Sequence, residues 1–294
     1  MSQKLLFIFN PHSGKGLIKN HLVEIIDTMV KADFEVTVYT TQCRGDATNK
    51  VLAEAKNYDR IVCSGGDGTL DEVVTGLIQS GADTPVGYIP AGSTNDFANS
   101  LGIPKEMEKA AVVSVGENPF ACDIGAFNED TFVYVAAFGL FTAVSYKTSQ
   151  QLKNIFGHVA YIMEGMKSLH DVPSYRMQVE NDGQVFQDEF IYGMVTNSVS
   201  VGGFKGMTGS DVRLDDGLFE VTLIKKPKNP IELNEILACL TNMIDDSDLI
   251  YSFKTDEVKI TADKPVAWTL DGEFGGEHTE TLIQNHKQRI SIFC

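Results

Sequence analysis

A glycine-rich loop with an aspartate at its tip is the first stretch of this sequence whose residue types could do chemistry. Residues 64–74 read SGGDGTLDEVV, and Gly65, Gly66 and Gly68 surround Asp67. Glycines let backbone amides approach a phosphate closely. A carboxylate about 4 Å from a phosphate charge is repelled by about 4 kcal/mol at an effective dielectric constant near 20. The pattern predicts that a divalent cation facing Asp67 offsets this repulsion, or that Asp67 only shapes the turn.

A second loop, residues 10–16, reads NPHSGKG. It is not a Walker A loop, because the first glycine of that pattern would fall on Phe9 and Gly16 stands where Ser or Thr belongs. It is not a dinucleotide-binding G-x-G-x-x-G loop either, since Lys19 occupies the third glycine position. Backbone amides near a helix start, together with Lys15, could still hold an anion. The alternative is a purely structural turn.

A third loop, residues 90–96, reads PAGSTND. Gly92 permits close approach of the backbone, and Ser93 or Thr94 can cap the helix that follows. Asp96 either complements the dipole of that helix in its first turn or takes part in a site.

The elements that position these loops alternate in a regular way over the first 125 residues. Strands are predicted at residues 5–9, 34–41, 60–63 and 86–89, and helices at 18–29, 46–57, 70–77 and 93–101. Repeated β-α units indicate a parallel sheet with helices on both faces, a doubly wound nucleotide-binding domain. Each loop follows a strand, and open parallel sheets bind ligands at that edge.

Residues 126–294 have a different character and predict a second, mainly antiparallel β-sandwich domain. Polar and apolar residues alternate around tight turns such as Asn181-Asp182-Gly183. Two helices are predicted near residues 147–169 and 230–244, and the last strand could pack back toward the first domain. Strands are predicted at 175–179, 184–195, 219–223, 258–261, 267–270 and 289–293.

Length and composition favour a soluble protein of two domains. The chain has 294 residues with 43% hydrophobic and 22% charged residues, which is ordinary for globular proteins. Its net charge of −16 argues against nucleic-acid binding, which requires clustered Lys and Arg. The start has no signal-peptide pattern, and the longest apolar stretch, residues 132–144, is too short for a membrane span. We expect a cytoplasmic protein with reduced cysteines.

Three stretches together resemble the diacylglycerol kinase catalytic-domain family, which includes bacterial lipid kinases and sphingosine kinases. They read NPHSGKG, SGGDGTLDEVVTGL and IPAGSTNDFANSLGIP, in the family's order. The resemblance continues through residues 212–218 and 270–273 and so covers nearly the whole chain. One departure is Ser93, where the family commonly has Thr, and this keeps a hydroxyl.

The resemblance implies an ATP-binding domain followed by a β-rich lipid-substrate domain. It implies that the nucleotide is contacted by residues of the three loops and by one threonine after the second strand. These residues are Asn10, Pro11, His12, Ser13, Gly14, Lys15, Thr41, Gly65, Gly66, Asp67, Gly68, Thr69 and Ser93.

The resemblance also implies the catalytic and metal-binding groups. Glu273 would act as the general base, with Asp271 and Asp67 as further catalytic carboxylates. A structural Mg²⁺ would sit on the backbone carbonyls of Arg213 and Leu218 and on the Asp216 carboxylate. Asp96 and Asp123 would join a water-mediated network toward the catalytic Mg²⁺. From the residues alone, Asp271-Gly272-Glu273 is more simply a hairpin turn that happens to contain two acids.

The function implied is ATP- and Mg²⁺-dependent phosphorylation of a lipid hydroxyl, most simply diacylglycerol to phosphatidic acid. The alternatives are a kinase for another lipid alcohol, such as a sphingoid base or monoacylglycerol, a soluble-substrate kinase of the NAD-kinase type, and a non-catalytic nucleotide-binding regulator. A lipid kinase would touch the membrane peripherally and transiently, and the family suggests a homodimer.

The lipid side has two candidate contacts. One is the local cluster Lys225-Lys226-Pro227-Lys228, which could touch anionic lipid or simply be a solvated loop. The other is an apolar stripe on a predicted helix, which could accept acyl chains or face the core. It comprises Leu152, Ile155, Phe156, Val159, Met163 and Met166.

Overall fold

A computed structural model describes residues 2–140, 172–199, 212–240 and 247–294. It divides the chain into two compact units. The first unit comprises Met1–Asp123 and Lys287–Cys294, and the second comprises Ile124–His286. The sequence places the boundary after residue 125 and expects that the last strand could pack back toward the first domain. The structure places the boundary after Asp123 and assigns the last residues of that strand to the first unit.

The first unit is an α/β unit whose strands pair in parallel. β1 pairs with β2 and β3, β3 also pairs with β4, and the end of the C-terminal strand pairs with β4. The elements are β1 Gln3–Phe9, α1 Ile18–Lys31, β2 Phe34–Thr40, α2 Asp46–Glu54, β3 Arg60–Gly65, α3 Asp67–Ser80, β4 Val86–Pro90, α4 Asp96–Leu101 and α5 Met107–Ser114.

The central strands end side by side, and this brings their loops together. Phe9 at the end of β1 is in register with Thr40 of β2 and with Ser64 of β3. Gly65 of β3 is in register with Pro90 of β4. β1, β3 and β4 are buried on both faces along most of their length, so polar loops lie at the ends of these strands. The three loops named above therefore start from one edge of this sheet.

Helix α4 begins at Asp96, three residues later than the predicted start at Ser93. Asn95 has φ of 52°, in the left-handed region, so the helix cannot extend back through it. Helix α5 was not predicted, since its apolar residues form only a short run with little periodicity.

The second unit is rich in antiparallel strands. Its helix α6 covers Pro230–Leu240, and residues 241–244 of the predicted helix lie outside the described part of the chain. The strands are β5 Phe120–Phe127, which starts in the first unit, β6 Asp130–Phe132, β7 Val135–Gly139, β8 Tyr175–Asn181, β9 Gln184–Thr196, β10 Phe219–Lys225, β11 Ile250–Thr255, β12 Glu257–Leu270 and β13 Glu273–Phe293, which ends in the first unit.

Two long strands of this unit pair with different partners along their length. The first part of β9 pairs with β8 and its last part with β7 and β10. β12 likewise pairs with β8 near its start and with β7 at its end, and its register with β13 shifts between Thr261 and Val266. Such bulges let a strand bend and change partners. The enclosed core includes Phe138, Phe190 and Trp268.

Several strand predictions are wrong in extent. The predicted strands 258–261 and 267–270 are parts of the single strand β12, and 289–293 is only the end of β13. The predicted helix at 147–169, with its apolar stripe, lies outside the described residues. Among the helices in the described ranges, none is long and apolar enough to cross a membrane.

The C-terminal strand is attached to the first unit by an arginine between two aromatic rings. Ile292 and Phe293 pair with β4, and Phe293 is almost fully buried. The guanidinium carbon of Arg60 lies 3.9 Å from the centroid of the Phe293 ring and 4.9 Å from that of Phe34. Arg60 Nη1 also donates to the Ser114 carbonyl at 3.1 Å. This half-buried cation therefore connects β2, β3, α5 and the chain end.

We predict that Phe293→Ala lowers the free energy of unfolding of the first unit by about 3 kcal/mol, because it removes a buried ring and its cation–π contact. Phe293→Leu keeps most of the volume and should cost about 1 kcal/mol. Urea titration followed by circular dichroism measures both. A Leu variant as stable as the natural protein would show that the contact with Arg60 contributes nothing.

Candidate active site

The Asp67 carboxylate joins two of the glycine-rich loops. Its Oδ2 accepts hydrogen bonds from the Thr94 hydroxyl at 3.2 Å and from the Asp96 amide at 3.3 Å, and its Oδ1 accepts one from the Phe97 amide at 3.4 Å. The amides of Asp96 and Phe97 are the first two of α4 and have no acceptor within that helix. Asp67 therefore caps α4 from the first turn of α3.

The pKa of Asp67 is raised to about 6, first by burial and then by the nearby charge of Asp96. The three hydrogen bonds to Thr94, Asp96 and Phe97 act in the opposite direction. A carboxylate has about four acceptor positions. One therefore remains on Asp67 Oδ1 for a further donor.

The loop after β1 packs against the other two through backbone atoms and the Ser13 hydroxyl. Ser13 Oγ accepts a hydrogen bond from the Gly66 amide at 3.3 Å, and the Asn10 amide donates to the Ser64 carbonyl at 2.9 Å. Gly14 has φ of 56°, and a Cβ there would lie 2.3 Å from the Ala91 carbonyl oxygen. No other residue type fits this position without moving the backbone of the third loop.

The third loop is folded by Asn95, a residue that the sequence analysis did not single out. Its Oδ1 accepts from the Gly92 amide at 2.9 Å and its Nδ2 donates to the Gly92 carbonyl at 3.0 Å. A Cβ on Gly92 would lie 2.6 Å from Gly66 Cα, so the second and third loops touch. The preference of Asn for left-handed backbone and for local side-chain hydrogen bonds was the available signal.

The start of α3 can accept an anion. Its N-cap residue, Gly66, provides no side-chain cap, and the first amides of a helix have no intrahelical acceptor and lie at the positive end of its dipole. A Cβ on Gly68 would meet nothing within 4 Å, so open space lies beside this turn. Lys15 and Ser93 are exposed. These features fit a nucleotide phosphate.

The remaining candidates of the first unit have separate positions. Thr41 is buried and its amide donates to the Phe9 carbonyl at 3.0 Å, so it starts the loop after β2 at the same sheet edge. Asp96 and Asp123 are both buried. Asp123 Oδ1 accepts from the Gln288 amide at 2.6 Å, at the point where the C-terminal strand enters this unit.

In the second unit, Asp271 and Gly272 form the two-residue turn between β12 and β13. Their φ values are 50° and 87°, as a type I′ hairpin turn requires. The buried Asp271 carboxylate accepts the amides of Val133 at 2.5 Å, Tyr134 at 3.0 Å and Val135 at 2.9 Å. Asp271 thus fixes this turn to the start of β7.

Glu273 follows the turn as the first residue of β13 and is exposed. The turn that Asp271 holds therefore sets where Glu273 begins its strand and leaves its carboxylate accessible to solvent.

The third group of candidates lies in the turn that precedes β10. Asp216 Oδ1 accepts from the Leu218 amide at 2.9 Å, which folds the chain back on itself, and Arg213 is exposed. Within the described ranges, no three side chains of His, Cys, Asp or Glu come together as a metal site. A cation here would need the backbone carbonyls of Arg213 and Leu218 beside Asp216, and such oxygen donors suit Mg²⁺.

Comparisons with known proteins agree with this architecture. Residues 4–127 match the family model described as diacylglycerol kinase catalytic domain, and residues 135–291 match the one described as YegS C-terminal NAD kinase beta sandwich-like domain. The chain is 37% identical to a diacylglycerol kinase of Staphylococcus carnosus, covering 100% of this chain and 95% of that one. It is 36% identical to a diacylglycerol kinase of Bacillus subtilis, with coverages of 92% and 89%.

A solved structure from Bacillus anthracis strain Sterne, assigned to the diacylglycerol kinases, matches with a TM-score of 0.84. It is 25% identical to this chain, and the match covers 99% of this chain and 97% of that one. The fold and the matched models define a two-domain protein with a kinase-type catalytic domain and a C-terminal β-sandwich domain. The chain belongs to the diacylglycerol kinase family.

We predict that Asp67 makes the free energy of unfolding depend on pH. Because its folded pKa, about 6, lies above its ordinary value, its contribution to stability is largest below about pH 4 and is lost as pH rises through 6. The amide that Asp67→Asn introduces does not titrate. The stability of the natural protein relative to this variant should therefore fall by about 2 kcal/mol between pH 4 and 7.

Urea denaturation in EDTA buffers across this range measures that difference. Asp27→Asn, which removes an exposed carboxylate on α1, is the matched control for the change of charge. A difference that stays flat for the Asp67 variant would contradict the raised pKa.

Proposed function

We propose that this protein transfers the γ-phosphoryl group of ATP to a lipid hydroxyl, with diacylglycerol as substrate and phosphatidic acid as product. The observation that carries this proposal is the cluster of three glycine-rich loops joined by Asp67 at the start of α3. It occurs in a chain whose similarity to named diacylglycerol kinases extends over its full length.

The nucleotide phosphates would lie against the amides at the start of α3. Ser13, Gly14 and Gly66 bring backbone within reach, and Lys15 supplies a positive charge. The rest of the proposed nucleotide contacts are those of the family. They are Asn10, Pro11, His12, Thr41, Gly65, Asp67, Gly68, Thr69 and Ser93.

Mg²⁺, when bound, would neutralise the charge that develops on the transferring phosphoryl group. We propose that Asp67 contributes through the one acceptor position left on its Oδ1, and that Asp96 and Asp123 join it through water. The structural cation would be held by the Arg213 and Leu218 carbonyls and the Asp216 carboxylate.

Glu273 would accept the proton of the lipid hydroxyl as its oxygen forms a bond to the γ-phosphorus and the bond to the β-phosphate oxygen breaks, releasing ADP. The exposure of this carboxylate supports that role, since a general base must be accessible to its substrate. Asp271 would assist by position: three amide hydrogen bonds hold the turn from which Glu273 projects.

A second candidate is a soluble-substrate kinase of the NAD-kinase type, because the family description of the second domain refers to NAD kinase. A kinase for another lipid alcohol would use the same groups.

Membrane contact would be peripheral, and the lysine cluster at residues 225–228 is a weak candidate for it. Lys225 is paired with Asp188 at 3.3 Å and Lys226 with Glu189 at 3.3 Å, which neutralises both charges. The cytoplasmic location is proposed from the sequence pattern, and a homodimer is proposed from the family resemblance.

We predict that Glu273→Gln lowers kcat by about 10²- to 10⁴-fold, because the hydroxyl proton loses its acceptor. Transfer of label from ATP to diacylglycerol, monoacylglycerol and sphingosine in mixed micelles, and to soluble NAD, measures the activity and its substrate. Glu277→Gln, an exposed glutamate on the same strand, is the matched control and should keep activity. Label in NAD and in no lipid would exclude the lipid-kinase proposal.

Gly68→Ala tests where the phosphates lie. The new methyl group meets nothing within 4 Å in the protein, so the melting temperature should hold or rise. If phosphates bind against this turn, the methyl group will crowd them, and the Kd for ATP should rise about tenfold or more in equilibrium titration. An unchanged Kd would place the phosphates elsewhere.

A further inference from the structure

Glu72 uses both oxygens of its carboxylate on the start of another helix, and the chemistry above does not involve it. Its Oε1 accepts from the Gly45 amide at 2.8 Å and its Oε2 from the Ala47 amide at 3.1 Å. These amides belong to the first turn of α2, where Gly45 is the N-cap residue and offers no capping side chain. Glu72 therefore supplies from α3 the cap that α2 lacks.

A second carboxylate, that of Asp46 in the first turn of α2, binds the loop of residues 41–45 that precedes this helix. Asp46 Oδ2 accepts from the Gln42 amide at 2.7 Å, and Asp46 Oδ1 accepts from the Tyr39 hydroxyl at 2.8 Å. The loop of residues 41–45 is thus attached to β2 through Asp46 and to α3 through Glu72.

The packing of α2 on α3 does not depend on the Glu72 side chain. The Thr48 hydroxyl donates to the backbone carbonyl of Glu72 at 2.9 Å. One turn further along α3, a Cβ on Gly76 would lie 2.6 Å from the Thr48 carbonyl oxygen, so the helix backbones are in close contact. Removing the carboxylate should release the loop and leave the helix pair in place.

The loop of residues 41–45 starts beside the residues that are candidates for phosphate binding. The Thr41 amide is bonded to the end of β1, and β1 lies between β2 and β3, with strands about 4.8 Å apart. Helix α3 carries the Asp67 turn at its start and Glu72 about one and a half turns later. One rigid helix therefore positions both the phosphate-facing amides and the loop that begins at Thr41.

We propose that Glu72 is a positioning residue for nucleotide binding, which holds the loop of residues 41–45 in place against the start of α3. The identity of the ligand as ATP rests on the function proposed above. Glu72 touches neither the ligand nor the reacting atoms in this proposal.

Three measurements on Glu72→Ala and Glu72→Gln test it. Hydrogen–deuterium exchange at the amides of Gly45 and Ala47, in protein without nucleotide, should become faster. The Kd for ATP with Mg²⁺ and no lipid should rise about 5- to 10-fold for the Ala variant. The Gln variant, which keeps one acceptor oxygen and the side-chain volume, should show a smaller rise and serves if the Ala variant unfolds. The rate of phosphoryl transfer to lipid at saturating ATP should stay within twofold of that of the natural protein.

Glu24→Ala, which changes an exposed glutamate on α1, is the matched control and should change none of the three measurements. Faster exchange with an unchanged Kd would make Glu72 a helix cap only and overturn the proposal. A lower rate at saturating ATP with an unchanged Kd would also overturn it, since Glu72 would then act in the chemistry. If the natural protein binds ATP but labels no lipid, the proposed function fails, while the Kd comparison still decides the role of Glu72.

Discussion

Contact between backbones at the carboxyl edge of the parallel strands is the constraint on which the candidate site depends. Three loops from three strands meet there, and a side chain would collide at their contacts: at Gly14 with the Ala91 carbonyl, and at Gly92 with Gly66. Because the backbones come this close, one carboxylate, Asp67, can reach from the second loop to the amides of the third. The glycines therefore determine how closely the loop backbones approach, and so how far the Asp67 carboxylate lies from the amides that it accepts.

The same solution recurs in both units. A carboxylate is placed where several backbone amides lack an acceptor: Asp67 at the start of α4, Glu72 at the start of α2, and Asp271 at the start of β7. Buried amides without acceptors are costly, so each carboxylate stabilises a loop or turn and at the same time orients it. In this chain, acidic residues of the family motifs stabilise loops and turns, whatever part they take in the chemistry.

Features that depend on residues close together in the chain could be predicted from the sequence. The strand and helix order of the first 100 residues follows from local patterns, and so does the presence of a turn at Asp182-Gly183. The bonding of Asp271 could not be predicted, since its acceptor oxygens meet amides of residues 133–135, far away in sequence. The role of Glu72 likewise requires knowing that α2 packs on α3. Strand β12 was divided in two because polar residues near its bulge, such as Asp263 and Lys264, interrupt the alternation.

The return of the chain end to the first unit has a consequence for synthesis on the ribosome. The strand segment that pairs with β4 is made only after the whole of the second unit. At about 5–20 residues per second, β4 waits on the order of ten seconds for this neighbour. During that interval its edge is an open pairing site for another strand. The nascent first unit is therefore most exposed to misassembly before Phe293 emerges and packs against Arg60.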